Sequence, residues 1–150
     1  MSRVAVVSTV SACLIIVAQT WSQPVPGSLE VHWDEGAPDC GATTHAPLQI
    51  HAYEPQTFIL RQSLCVSFEG NFLYLLVGSE KALLIDTGAV ADSTRMPVAK
   101  RVLELLPGED KGKIPLLVVH THGHLDHRAG DAQFASSSLG QSCAGRLAVG

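Results

Sequence analysis

Apolar residues in the middle of the chain fall in short runs separated by turn-forming residues. Thr57-Phe58-Ile59-Leu60 and Leu64-Cys65-Val66-Ser67-Phe68 have strand composition, and Glu69-Gly70-Asn71 breaks the pattern. Phe72-Leu73-Tyr74-Leu75-Leu76-Val77 is too short for a typical helix; Gly78-Ser79-Glu80-Lys81 turns it, and Ala82-Leu83-Leu84-Ile85-Asp86 returns. This spacing predicts a β-hairpin, and the near-continuous hydrophobicity of its strands predicts a sheet covered on both faces. Val98, Arg101-Val102, Leu105 and Leu106 then recur at helical spacing. A helix is predicted there, capped by Asp92 or Ser93, with Pro97 in its first turn and Pro107-Gly108 as its stop. Lys100 and Arg101 read as its solvated basic edge. After a charged loop over Glu109 to Lys113, Ile114 to His120 reads as the next strand, with Pro115 tolerated because it lies at the beginning. Asp126 to Ala135 reads as the start of a short helix with Asp131 and Gln133 on its flank. Strands alternating with helices predict an α/β (α+β) domain over residues 53–135, starting near Tyr53.

The flanks have a different composition. In residues 1–22, Arg3 is a minimal positive n-region and Val4 to Ala18 an apolar h-region, followed by polar residues and then Pro24 and Pro26. That order predicts a removable signal peptide and a secreted or periplasmic protein. The apolar run is shorter than the roughly 20 residues that span a bilayer, so no stable membrane span is expected. Val10-Ser11-Ala12-Cys13 also fits a lipoprotein signal, but apolar residues continue past Cys13, where such signals turn polar, so lipid anchoring is the weaker reading. Residues 23–52, rich in Pro, Gly and short polar residues around an isolated Trp33, read as an extended lead-in. His32, His45 and His51 within it are assigned no metal. Residues 136–150 are dominated by small residues and read as a poorly ordered tail.

With 150 residues, 46% hydrophobic and 16% charged, the chain can form one ordinary globular domain. A net charge of −4 with no basic patch argues against a nucleic-acid partner and says little about the substrate. Once the signal is removed, Cys40, Cys65 and Cys143 remain. Either one pair closes and leaves a free thiol, or all three stay unpaired, with Cys65 a small strand hydrophobe. No CxxC spacing supports a zinc ribbon or a thioredoxin motif.

The candidate chemistry sits at the end of the last predicted strand, in Val118-Val119-His120-Thr121-His122-Gly123-His124-Leu125-Asp126-His127-Arg128-Ala129-Gly130. His122, His124, Asp126 and His127 form the pattern HxHxDH. With seven His and seven Asp in the chain, chance would produce it roughly once in a thousand such sequences. Imidazole and carboxylate donors suit a divalent first-row metal. Six residues cannot easily wrap one ion with four side chains, so two neighbouring ions are the more natural reading: His122 and His124 on one, Asp126 and His127 on the other. Asp86, at a strand end, suits either of two roles: fixing the tautomer of a ligand histidine from behind, or hydrogen bonding to the Thr87-Gly88 turn. His120 reads as structural.

The run Thr121 to His127 followed by Ala129-Gly130 resembles the signature of the metallo-β-lactamase superfamily. Leu83-Leu84-Ile85-Asp86-Thr87-Gly88 resembles the segment closing that family's early hairpin. The resemblance covers roughly Thr57 to Phe134. It implies the N-terminal half of an αββα sandwich and a hydrolase holding up to two Zn2+, in which a metal-bound hydroxide, oriented by Asp126, attacks a lactam, lactone, thioester or phosphoester. The family's later half supplies further ligands, yet this sequence has no histidine after His127 and only Asp131 as a carboxylate. The resemblance therefore implies a chain that is the N-terminal portion of a longer hydrolase. The alternative is a catalytically incompetent metal-binding fragment.

Overall fold

The computed structural model describes residues 27–41, 45–108 and 114–135. The expected signal peptide, with Cys13, the charged loop over Glu109 to Lys113 and the tail with Cys143 lie outside them. The described chain forms a five-stranded mixed sheet in the order β1 (Leu48–Glu54), β2 (Thr57–Gln62), β3 (Phe72–Val77), β4 (Ala82–Ile85), β5 (Leu116–Val119). The first three pairings are antiparallel, and β4 pairs with β5 in parallel. A parallel pair needs a long crossover, and α1 (Val98–Leu105) lies within it. Two short helices, α2 (Leu125–Arg128) and α3 (Ala132–Ala135), follow β5, joined by a 3-10 turn over Ala129–Asp131. The fold is the α/β class that the alternating pattern predicts.

Leu60, Leu73, Leu75, Leu84, Leu116 and Val118 point to one face of the sheet. They form a single core with Met96, Val98, Val102 and Leu106 from α1 and its flanks and with Phe134 from α3. The other face differs from the expectation. Phe72, Tyr74 and Leu76 are 37%, 41% and 38% exposed while Leu73 and Leu75 between them are fully buried. The continuous apolar run in β3 is therefore an alternating strand whose second face is apolar but open, rather than a strand covered on both sides.

Part of that open face is crossed by the lead-in. Gln49, Arg61 and Phe72 are register partners, as are His51, Ile59 and Tyr74, so these side chains share the face. Trp33 packs edge-on against Phe72 and His51, with ring centroids 5.2 and 6.0 Å away. The Gln49 amide accepts from Asp34 N and donates to His32 O, both at 2.8 Å, and His51 Nε2 lies 2.6 Å from Ser28 O. β1 thus falls partly inside the stretch expected to be irregular. Its alternation is weakly apolar because one side of the strand presents Gln49 and His51 to the lead-in's backbone.

Two local expectations are corrected. Leu64 to Phe68 has strand composition but forms a turn: Ser63 O accepts from Val66 N and Ser67 N, and Ser63 Oγ accepts from Cys65 N. Gly70 closes it at φ 53, where a side chain would meet Leu64. Asp92 does not cap α1, whose N-cap position is Pro97 with no side-chain bond. Asp92 instead accepts from Thr94 Oγ1 and Thr94 N at 2.7 and 2.8 Å, and these bonds hold its carboxyl below the ordinary value. The turn so formed feeds α1, and Lys100 and Arg101 are exposed as expected, Arg101 pairing with Glu104.

Cys40 and Cys65 are joined in a disulfide, which ties the lead-in to the turn after β2. Of the two cysteine readings, one closed pair is the one realised. The bridge spans 25 residues, so Cys40→Ser should lower unfolding free energy by about 3 kcal/mol through the freedom it returns to the unfolded chain. Denaturant titrations with and without reductant measure it; a loss below about 1 kcal/mol would mean the lead-in contributes little to the folded unit.

Candidate metal centre

The site is built where β4 and β5 end side by side. Their parallel register pairs Ile85 with Val119, and Asp86 N donates to Val119 O at 2.9 Å. The next residue on each strand is therefore brought together: Asp86 on one, and His120 with Thr121 on the other. Asp86 is only 2% exposed and has φ 66, the left-handed region that aspartate tolerates better than most residues. In that conformation its Oδ1 accepts from Thr121 N at 2.8 Å. Its Oδ2 accepts from Thr121 Oγ1 at 2.8 Å and lies 2.9 Å from His127 Nδ1.

The HxHxDH motif follows β5 as an exposed loop and then enters α2. His124 occupies the N-cap position, and Asp126 and His127 lie on α2 itself. Backbone bonds fasten this helix to the end of β4: Thr87 N donates to His127 O at 2.8 Å and Ala129 N to Gly88 O at 2.9 Å. Gly130 permits the close approach, because a Cβ there would meet Thr87 O at 2.6 Å. His127 thus has its backbone held by Thr87 and its ring held by Asp86.

All four motif residues come together. The His122 ring sits 4.6 Å from that of His124 and 4.1 Å from that of His127, centroid to centroid, and His127 Nε2 is 3.2 Å from Asp126 Oδ2. His122 and His124 are exposed, while Asp126 and His127 are half-buried. The rings pack edge-on or tilted against each other, and among the described residues no group of three or more His, Cys, Asp or Glu is arranged to hold a metal ion. The donor chemistry nevertheless fits a divalent metal. Carboxylates flank both nitrogens of His127, and the shorter contact, Asp86 at 2.9 Å against Asp126 at 3.2 Å, favours the tautomer with its proton on Nδ1 and the Nε2 lone pair on the Asp126 side. Asp86 contacts a motif histidine, while the Thr87-Gly88 turn is bonded to His127, Ala129 and Asp131.

Four residues in or around the site carried no role in the sequence reading. Thr121 bonds both carboxylate oxygens of Asp86 and lies 3.2 Å from His122 Nδ1 and His127 Nδ1. His120, read as structural, lies 3.2 Å from Asp131 Oδ1. Asp131 accepts from Thr87 Oγ1 at 2.8 Å. Gln62, fully buried at the end of β2, accepts from Ala89 N. Only the parallel pairing of β4 with β5 would have shown that Asp86 faces Thr121 and His120, and hydrophobic runs alone do not reveal strand direction.

The structure thus sets a loop of histidines and carboxylates at the ends of two parallel strands of a mixed sheet. The family model of the metallo-beta-lactamase superfamily matches residues 67–138, a stretch that runs from the turn after β2 through the whole motif. A search of curated proteins found no match.

Asp86 can be tested by what it carries. Asp86→Ala removes a buried charged acceptor and should cost about 3 kcal/mol. Asp86→Gly should be about 1 kcal/mol less damaging, since glycine relieves the left-handed backbone. Urea titrations of the two variants decide it; an alanine variant as stable as the glycine variant would show that the backbone at 86 carries no strain.

Proposed function

We propose that this protein is a zinc-dependent hydrolase acting on a small-molecule lactam, lactone, thioester or phosphoester. The superfamily match makes metal-dependent hydrolysis the framework, and one observation carries the finer reading. Asp86 engages His127 Nδ1 at 2.9 Å, so the Nε2 beside Asp126 is prepared as a donor before any ion arrives. His122 and His124 would hold one ion, and Asp126 with His127 a second. When bound there, zinc would supply Lewis acidity, polarising a carbonyl or phosphoryl oxygen and making nearby water a stronger acid.

The chain's own residues supply orientation. Asp126 would accept a hydrogen bond from that water and align it for attack. Asp86 and Thr121 keep the His127 ring from turning. The two exposed histidines leave the outer side of the site open to a small substrate. The signal-like residues 1–22 support a secreted or periplasmic location, and the Cys40–Cys65 bridge agrees with an oxidising compartment. No helix among the described residues is long and apolar enough to cross a membrane.

Zinc titration of the full chain with metal counting, followed by assay on lactam, lactone, thioester and phosphodiester substrates, tests the proposal. Stoichiometric zinc is expected. His122→Ala should weaken it by more than the roughly ten- to hundred-fold that losing an outer hydrogen-bond partner costs, and should abolish turnover. Asp126→Ala should weaken one of two zinc equivalents far more than the other. A wild-type chain that binds no zinc above background would overturn the reading.

A further inference from the structure

Asp131 has no part in the ligand set, yet its position ties three pieces of the site together. Its Oδ1 accepts from Thr87 Oγ1 at 2.8 Å and lies 3.2 Å from His120 Nε2; its Oδ2 is 3.6 Å from Arg128 Nε. Thr87 is fully buried and directly follows the left-handed Asp86. Such a backbone is costly for a non-glycine residue, so the contacts that hold it matter. Before Asp86, β4 is held by β5. After it, the hold comes from Thr87, through its N–H to His127 O and its hydroxyl to Asp131.

His120 supplies a second, separate reason. Its Nδ1 is buried without a hydrogen-bond partner and lies 3.8 Å from Asp86 Oδ1, just outside bonding distance. Its other nitrogen is engaged by Asp131. Without Asp131, a small rotation would bring His120 against Asp86, where it would compete with Thr121 and His127 for the carboxylate.

We propose that Asp131 is a positioning residue for the metal-ligand loop. By holding Thr87 and His120 on the far side of Asp86, it keeps the Asp86 carboxylate committed to His127. Its consequence for metal affinity rests on the reading of this loop as a zinc site; its consequence for the His127 ring does not.

The test uses the full chain carrying Asp131→Ala, Asp131→Asn and the near-isosteric Thr87→Val, which removes the donated hydroxyl should the alanine variant fail to fold. Two quantities are read beside thermal melting: the nitrogen NMR signature of the His127 ring without metal, and zinc affinity by competition with a chelator. Asp131→Ala and Thr87→Val should shift or broaden the His127 Nδ1 signal and lower zinc affinity about ten-fold. Asp131→Asn, which keeps an acceptor oxygen for Thr87 and His120, should restore the signal and most of the affinity. If Asp131→Ala and Thr87→Val change only the melting temperature and leave the ring signal as in the wild type, the positioning role is overturned. If the wild type binds no zinc while the ring signal still responds, the zinc reading fails and the positioning role stands.

Discussion

The structure of the site depends on one buried carboxylate. Asp86 sits at the end of β4 with almost no exposure, in a backbone conformation few side chains accept, and its two oxygens are engaged by Thr121, just after β5, and by His127 of α2. Burying a carboxylate is costly unless it is hydrogen-bonded, and three partners offset that cost here. The same bonds set the chain direction after β5: Thr121 is anchored by its N–H and its hydroxyl, so the residues after it leave the sheet from a fixed point. The His-rich loop is exposed, but its root is not free to move.

That arrangement requires the parallel pairing of β4 with β5. In an antiparallel pair the end of one strand meets the start of the other, and Asp86 would face the residues before β5. The α1 crossover reverses the chain so that both strands finish at one edge of the sheet. The core residues beneath, Leu84 and Val118, are register partners and hold the two ends level. Packing of α1 and α3 against one face therefore acts on the site indirectly, by fixing the relative height of two strand termini. Gln133 reinforces this: its amide bonds Ala91 O and Met96 O, locking α3 to the turn that precedes α1.

Much of this was legible in the sequence where a local pattern carries the information. β3, β4, α1 and β5 follow from runs and periodicity, and the clustering of His122, His124, Asp126 and His127 follows from their adjacency. What was not legible depends on neighbours distant in the chain. Leu64 to Phe68 is apolar enough for a strand, yet Ser63 and Gly70 bend it into a turn, and Cys65 is drawn to Cys40. Asp92 has the chemistry of a helix cap but spends it on Thr94, because Pro97 starts the helix five residues later. Thr121, His120 and Asp131 have no signature of their own. Their significance is set by which strand lies beside which, and by how closely Gly130 allows Thr87 to approach.

The four motif residues are consequently not equivalent. His127 is held at its backbone by Thr87, at its ring by Asp86, and flanked by Asp126 on its other nitrogen. His122 and His124 are exposed on a stretch whose Gly123 would meet nothing within 4 Å even if it carried a Cβ. One donor is thus preset and two are adaptable. Converging the adaptable pair on an ion costs side-chain ordering, whereas His127 has already lost its rotational freedom on folding. This asymmetry accounts for rings packed on one another in the loop: one histidine is fixed by its partners, and the two outer histidines have the room to turn.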